Sequence, residues 1–456
     1  MTQENAVAPV DVGNRVLGLR STGHVIGTSV LGGLLGGLAG AATGVLVTDL
    51  IKRILAVVSS QALWVLIVMP LVGLTLAVLI LQKYHHGEAL QTLAPEPAHP
   101  GARGPFGLNW RDTRDVIRAD LTADVLATAG EEERFPWRLA PIRALAIIAT
   151  VGFGAPMGTE SPAAHLGVAA GAYLTDRGRW WRRLTRPAAV GGGAAGVAAL
   201  VGIPLVGTAF ILELGRRRRV PLSAERVIAA LIGGLVGWSI NDAFNLDLIR
   251  LNVPQIGPGN LLNALATALV AGASAGAIAS LTGLAIYKAR GWQAFPSIRL
   301  LAGGVAVMAA SIAIAMIAAP SAAFGPGAGA AAWAATTDAG MITMLAVALL
   351  RAAATTAAVA AGGCGGVFVP FLAIGDIAGR AFAPAFGVPS DLAGSAGAAG
   401  GIAGGYRLPF TAAMMVLGLG GPFSATVTCL ATVGVATIAG VGAAFAVDRL
   451  SNPRPG

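Results

Sequence analysis

Charged side chains are scarce in this chain. Only 12% of its 456 residues are Asp, Glu, Lys or Arg, whereas a soluble domain carries about 25%. Hydrophobic residues make up 55%, and the mean hydropathy is +0.72. This composition excludes an ordinary water-soluble domain and predicts an integral membrane protein whose main partner is the lipid bilayer.

Residues that bind metals or form disulfides are also few. The chain has five histidines and two cysteines, Cys364 and Cys429, and both cysteines lie in apolar stretches. Neither the CxxC nor the HExxH spacing occurs, so we predict no metal site and no cofactor. The cysteines are expected to be small packing residues.

The start of the chain and the lengths of its apolar segments indicate how it is organised in the membrane. The N-terminus has no apolar core after a basic start, so no cleavable signal peptide is expected. Apolar segments recur along nearly the whole chain, apart from a polar stretch at 84–142. Some, such as 393–404 and 408–447, are too short or too long for one straight crossing of about 20 residues. We therefore predict a single all-α transmembrane domain over 1–456, with re-entrant helices and no C-terminal regulatory domain.

The net charge of +9 is concentrated beside apolar segments, at 177–183 and 216–219. Arginine clusters in such places are typical of cytoplasmic loops. They argue against nucleic acid as a partner and favour a multi-pass protein of a bacterial inner membrane.

Glycine is abundant, with 64 residues. Gly32, Gly36, Gly40 and Gly44 share one helix face, which predicts close helix packing. The stretch 272–276 matches the GxSxG pattern of hydrolases, but it lies in an apolar helical segment with no histidine after it. It is expected to be a packing motif, and the protein is not expected to be an enzyme.

Two Gly/Pro patterns occur twice in the same order. Segments 158–171 and 366–379 align at an offset of 208 residues, and segments 203–215 and 408–420 align at an offset of 205. The sequence therefore predicts two structural repeats, at about 24–243 and 258–450. Paired, interrupted segments of this kind indicate a transport site between the repeats.

The chemistry of the first pair points to an anion. Proline is well tolerated in a first helical turn, so helices are predicted to begin near Pro162 and Pro370. Their free N–H groups and positive dipole ends can hold an anion. Glu160 lies at one of these starts and can itself occupy the anion site when ionised. We expect it to gate the site and to accept a proton, although a carboxylate that only caps its helix is the alternative.

This ordered set of motifs resembles the CLC family of chloride channels and proton-coupled chloride exchangers. Gly158–Pro162 is similar to the family's GREGP segment, Gly366–Pro370 matches its GxFxP segment, and Arg351 falls where the family often has an arginine. The resemblance implies an antiparallel repeat fold and a homodimer with one pore per subunit. It implies that Glu160 is the gating glutamate and that the anion is bound by residues at the two helix starts: Glu160, Ser161, Gly366, Val367 and Phe368.

The sequence departs from the family pattern within the first motif, where Thr159 and Ser161 replace Arg and Gly of GREGP, and at three further places. The serine-bearing GSGIP segment has no clean match, and Gly101–Pro105 is the nearest. The family's anion-coordinating tyrosine would fall near Ala444 or Phe445, with Tyr406 as a candidate replacement. The inner proton-transfer glutamate would align with Leu214, which leaves Glu213 as a candidate for that role.

His165 is open to two interpretations, a buried and satisfied histidine or a proton relay. Overall we predict transport of chloride or a similar monovalent anion, by a channel or by an anion/proton exchanger. The alternative is an unrelated inverted-repeat transporter of another small anion, such as fluoride or nitrate.

Overall fold

The computed structural model describes residues 19–59, 63–83, 137–176, 185–217, 220–246, 254, 260–292, 294–420 and 426–451. These residues are almost entirely helical. The helices, in chain order, are α1 (Leu19–Ser59), α2 (Leu63–Lys83), α3 (Ala140–Ile147), α4 (Glu160–Asp176), α5 (Thr185–Val201), α6 (Pro204–Arg217), α7 (Ala224–Phe244), α8 (Leu261–Gly291), α9 (Pro296–Ile317), α10 (Pro320–Ala323), α11 (Ala328–Thr336), α12 (Met341–Ala360), α13 (Phe368–Arg380), α14 (Ala383–Phe386), α15 (Ser390–Tyr406), α16 (Pro409–Leu419) and α17 (Val427–Ser451).

Helices of two length classes make up this bundle. Seven described helices are long and apolar enough to span a membrane, namely α1, α2, α7, α8, α9, α12 and α17. Between them lie six helices of only 11 to 17 residues: α4, α5, α6, α13, α15 and α16. At 1.5 Å per residue such helices fall short of a full crossing of ~30 Å. The expectation of a membrane protein with interrupted spans is confirmed.

The short helices begin and end at residues suited to those positions. Pro204 opens α6 and Pro409 opens α16, where the missing proline N–H costs no helical hydrogen bond. Arg407 follows the end of α15 in the left-handed conformation, with φ of 57°. Only Arg407 and Leu408 separate α15 from α16.

Glycine contacts hold the helices close together. A Cβ added at Gly32 or Gly36 would lie within 2.6 Å of backbone oxygens in α5. Gly276, in the GxSxG stretch, lies in the middle of α8 and would meet the backbone of Gly440 in α17 at 2.5 Å. Both patterns are packing motifs, as expected, and the GxSxG stretch has no strand-to-helix turn.

Two groups of five helices repeat the same contacts. In the first group α5 packs against α1, α4, α6 and α7, and in the second α15 packs against α8, α13, α16 and α17. The two groups contact each other where α4 meets α13 and where α6 meets α16. These are the segments that the sequence pairs at offsets of 208 and 205 residues.

Candidate functional site

The two GxxxP segments lie side by side. Gly158 N donates to Gly366 O at 2.7 Å, and Gly366 N donates to Gly158 O at 2.8 Å, in an isolated antiparallel bridge. A Cβ added at either glycine would lie 3.2–3.3 Å from the Cδ of the proline in the other segment. Glycine is therefore needed at both positions for this close approach. Because the segments are antiparallel, α4 and α13 begin next to each other and run in opposite directions.

Glu160 is the first residue of α4 and lies at this meeting point. Its side chain is buried, with 4% of its surface exposed. Its Oε2 has no hydrogen-bond partner among the described residues. A Cβ added at Gly158 would lie 2.6 Å from this oxygen, so the carboxylate lies against the bridge between the two segments. The gating candidate thus lies where the two helix starts meet and keeps one oxygen without a hydrogen-bond partner among the described residues.

The hydroxyl of Tyr406 joins the same two helix starts. It lies 3.0 Å from Ser161 Oγ, and it accepts a hydrogen bond from Val367 N at 3.2 Å. Ser161 belongs to α4, and Val367 immediately precedes α13. Tyr406 is 4% exposed and is the last residue of α15. An oxygen that accepts from Val367 keeps its own proton available to Ser161 or to an anion.

Aromatic rings surround this hydroxyl. Phe368 packs edge-on against Tyr406, with ring centroids 5.3 Å apart, and edge-on against Phe210 of α6 at 5.7 Å. Phe371 meets the other side of Tyr406 at 5.7 Å. Edge-on rings are a favourable arrangement, and they fix the tyrosine while keeping water away from the helix starts.

Glu213 lies on α6 and reaches into the second group of helices. Its Oε1 accepts from Phe410 N at 3.0 Å, and its Oε2 accepts from Thr411 N at 2.7 Å and from Thr411 Oγ1. These donors form the first turn of α16, so Glu213 caps that helix from outside. The neighbouring Leu214 is fully buried.

Arg351 and His165 lie beside the helix starts and have partners of their own. The guanidinium of Arg351 donates to Ala322 O at 2.8 Å and to Gly325 O at 2.7 Å. His165 is completely buried, with Arg143 Nη1 3.0 Å from its Nε2. This contact favours the buried, hydrogen-bonded interpretation of His165.

The positions where the family's tyrosine would align do not lie at the helix starts, and the candidate replacement, Tyr406, does. Ala444 and Phe445 lie in α17, and Phe445 is 58% exposed beneath the guanidinium of Arg407. The structure instead brings Tyr406 to the helix starts. One signal in the sequence marks it: it is one of only four tyrosines and comes three residues before the proline of a paired segment. The segment 101–105 lies outside the described residues.

Known proteins share both sequence and fold with this chain. Residues 119–441 match the protein family described as "Voltage gated chloride channel". The "H(+)/Cl(-) exchange transporter ClcA" of Yersinia pestis bv. Antiqua (strain Angola) is 26% identical over 298 residues, which is 62% of this chain and 60% of that protein. The protein of the same name from Vibrio vulnificus (strain YJ016) is 29% identical over 126 residues, 27% of each chain. The alignment thus spans about 60% of the length of the Yersinia relative.

Solved structures extend the likeness to nearly the whole chain. A CLC-type fluoride/proton antiporter superposes with a TM-score of 0.71 at 20% identity, covering 93% of this chain and 97% of the other. A slow cyanobacterial Cl−/H+ antiporter superposes with a TM-score of 0.66 at 17% identity, covering 94% and 99%. The fold is therefore the CLC fold with its antiparallel repeat. With the family match covering most of the chain and both helix starts, the protein belongs to the voltage gated chloride channel family.

Proposed function

We propose that this protein moves chloride or a similar small monovalent anion across a membrane, between the starts of α4 and α13. The observation that carries the proposal is the buried carboxylate of Glu160, which lies where two helix N-termini meet and has one unpaired oxygen. Positive helix ends favour a negative charge there. The relatives named H(+)/Cl(-) exchange transporters are consistent with this substrate class.

Glu160 is the gate in this proposal. Ionised, the carboxylate takes the position of the anion between the helix starts. Protonated, it loses its attraction to the positive helix ends and leaves the position to an anion. The bound anion is held by the amides near Glu160 and Ser161 and by those of Val367 and Phe368, with the Val367 N–H shared with the Tyr406 hydroxyl. Gly366, expected among the anion-binding residues, uses its N–H in the bridge to Gly158 and therefore positions the segment without donating to the anion. Binding by amides without a fixed cation is weak enough for release.

Tyr406 supplies a hydroxyl to the same anion. Its oxygen lies within hydrogen-bond distance of both Ser161 Oγ and Val367 N. A small rotation of the O–H bond directs its proton to an anion between these groups. In this proposal Tyr406 replaces the tyrosine that the family places near the end of the chain.

Whether the protein is a channel or an anion/proton exchanger depends on the residue that transfers protons on the inner side of the site. The family's inner glutamate position is Leu214, which favours weak or absent proton coupling unless Glu213 takes the role. We further propose a homodimer in a bacterial inner membrane and repeats at about 24–243 and 258–450. Fluoride and nitrate are the alternative substrates to test beside chloride.

The test is anion efflux from liposomes that contain the purified protein, with the internal pH recorded at the same time. Chloride flux should rise as the pH falls, at most about tenfold per pH unit for a single proton site. Glu160→Gln mimics the protonated side chain, so its flux should be fast and independent of pH. Proton movement against an anion gradient would establish exchange.

Glu225→Gln is the matched control, because Glu225 is also an acidic residue in a first helical turn but lies in α7. It should retain the wild-type pH profile. Failure of the wild-type protein to move any of the three anions would refute the proposal. Equal pH profiles for wild type and Glu160→Gln would refute the role of Glu160 as the gate.

A further inference from the structure

We propose that Glu213 is a positioning residue that sets the place of the Tyr406 hydroxyl and thereby the anion selectivity of the site. The inference rests on the proposed function. It assigns Glu213 a role different from proton transfer. In it, a residue of the first group of helices sets the position of Tyr406, which belongs to the second group.

The first step is the attachment of Glu213. Its two oxygens accept from the backbone N–H groups of Phe410 and Thr411 and from the Thr411 hydroxyl. Hydrogen bonds to a charged acceptor are roughly twice as strong as neutral ones. Thr411 is fully buried, whereas Glu213 is half-buried and Phe410 is exposed, so the two bonds from Thr411 are the more protected part of this attachment. The start of α16 is therefore held in a fixed place relative to α6.

The second step is the short link from α16 to Tyr406. Only Arg407 and Leu408 separate Tyr406 from Pro409, the first residue of α16. Arg407 is held in the left-handed conformation and forms an ion pair with Asp448 of α17. Leu408 is fully buried. Because this link is short and tightly packed, a displacement of α16 also displaces Tyr406.

The third step is the second contact that α6 makes with the site. Phe210 lies three residues before Glu213, so both side chains project from neighbouring parts of one helix face. Phe210 packs on Phe368, which in turn packs on Tyr406. One face of α6 thus supports Tyr406 from two directions, through its ring and through its backbone.

The two repeats differ at this contact. Gly418 occupies the position in α16 that corresponds to Glu213 in α6, at the offset of 205 residues. Ile203, just before α6, fills the space at Gly418, where an added Cβ would lie 2.4 Å from its Cδ1. The start of α6 thus meets an apolar contact where the start of α16 meets a carboxylate. Of these two helix starts, only that of α16, which is linked to Tyr406, is bound by a carboxylate.

The experiment compares flux ratios for chloride, nitrate and fluoride in liposomes that contain the full-length protein. Tyr406→Phe removes the hydroxyl, and we expect it to change at least one flux ratio by about tenfold. Glu213→Ala should change the same ratio in the same direction. The double variant should change it no further, because both substitutions act through one hydroxyl. Glu213→Gln, which retains an acceptor oxygen, should recover part of the wild-type ratio.

Two further variants separate positioning from general loss of structure. Ser223→Ala removes an N-cap, the bond from Arg226 N to Ser223 Oγ, at the start of α7. It should reduce thermal stability without changing the flux ratios. Should Glu213→Ala fail to fold, Thr411→Val serves instead, because it removes one donor to Glu213 and keeps the side-chain shape. It should shift the same ratio by a smaller factor.

The outcomes distinguish the two proposals. Unchanged flux ratios in the Glu213 and Thr411 variants, beside a changed ratio in Tyr406→Phe, would overturn the positioning role and leave the transport proposal intact. A Glu213→Gln variant that loses proton coupling but keeps wild-type selectivity would assign the carboxylate to proton transfer. A wild-type protein that moves no anion would remove the transport proposal itself.

Discussion

Two buried acidic residues show how differently single side chains are accommodated in this bundle. Glu160 lies at a helix start and keeps an unpaired oxygen. Asp376 lies within α13, fully buried, and its Oδ2 accepts from Arg380 Nε at 3.0 Å, while its Oδ1, like Glu160 Oε2, has no hydrogen-bond partner among the described residues. Arg380 also binds Asp391, whose side chain is 34% exposed. Asp376 is paired with a counter-charge, whereas Glu160 lies at the helix starts.

Removing the counter-charge of Asp376 should be costly. Arg380→Met leaves that carboxylate buried without its partner, and we expect the free energy of unfolding to fall by about 3 kcal/mol. The measurement is the thermal unfolding midpoint of the purified protein in detergent. Adding Asp376→Leu to the same variant should restore most of the loss, because no fully buried unpaired charge then remains and Asp391 is partly exposed. A double variant no more stable than Arg380→Met would contradict this view of the pair.

At the scale of helices, the bundle is held by contacts that only glycine permits. A Cβ added at Gly440 in α17 would lie 2.4 Å from the carbonyl oxygen of Gly400 in α15, whereas one added at Gly442 would meet no atom within 4 Å. The two glycines lie in the same helix, two residues apart. One serves helix packing and the other does not.

Alanine at these two positions should therefore have opposite effects. Gly440→Ala should reduce stability by about 2 kcal/mol, since overpacking a tight contact forces the helices apart. Gly442→Ala should be neutral or stabilising by up to about 1 kcal/mol, because alanine favours a helix more than glycine does. Unfolding midpoints and the yield of monodisperse protein after size-exclusion chromatography provide the comparison. Equal losses in both variants would show that the contact with Gly400 is unimportant.

For the molecule as a whole, the candidate site belongs to neither group of helices alone. Glu160, Ser161 and Phe210 come from the first group, whereas Phe368 and Tyr406 come from the second. The bonds between Gly158 and Gly366, and between Glu213 and the start of α16, also cross between the groups. Each half therefore lacks part of the candidate site.

A divided chain should still assemble. We expect fragments 1–250 and 251–456, separated between α7 and α8, to copurify when expressed together and to restore pH-dependent anion flux. Either fragment alone should give no flux above that of empty liposomes. Affinity purification through a tag on one fragment measures the assembly, and the efflux assay measures the site. Transport by a single fragment would contradict a site shared between the two halves.

Much of this organisation is visible in the sequence because its physical cause is local. The scarcity of charge predicts the membrane, since a bilayer has no water to solvate ions. Pro162 and Pro370 predict helix starts, because proline is accepted there and disfavoured inside a helix. The glycines on one face of α1, beginning at Gly32, predict close packing, because a residue without a side chain lets another helix approach. In each case the residue type is compatible with only a few backbone conformations or environments.

Which side chains meet at the candidate site depends on distances between residues far apart in the chain, and a sequence pattern does not contain such distances. Tyr406 lies 245 residues from Ser161, yet their oxygens are 3.0 Å apart. In the alignment, Glu213 stands next to Leu214, the position where the family has its inner proton-transfer glutamate. In the structure, its carboxylate accepts from Thr411 N in the first turn of α16, 198 residues further along the chain.

By itself, the sequence determined that the chain is a helical membrane protein with paired helix starts and a carboxylate at one of them. Only the tertiary structure decided which hydroxyl joins those starts and what holds it there. The reason is that a membrane bundle satisfies its buried polar groups through contacts between distant helices, and these follow from packing.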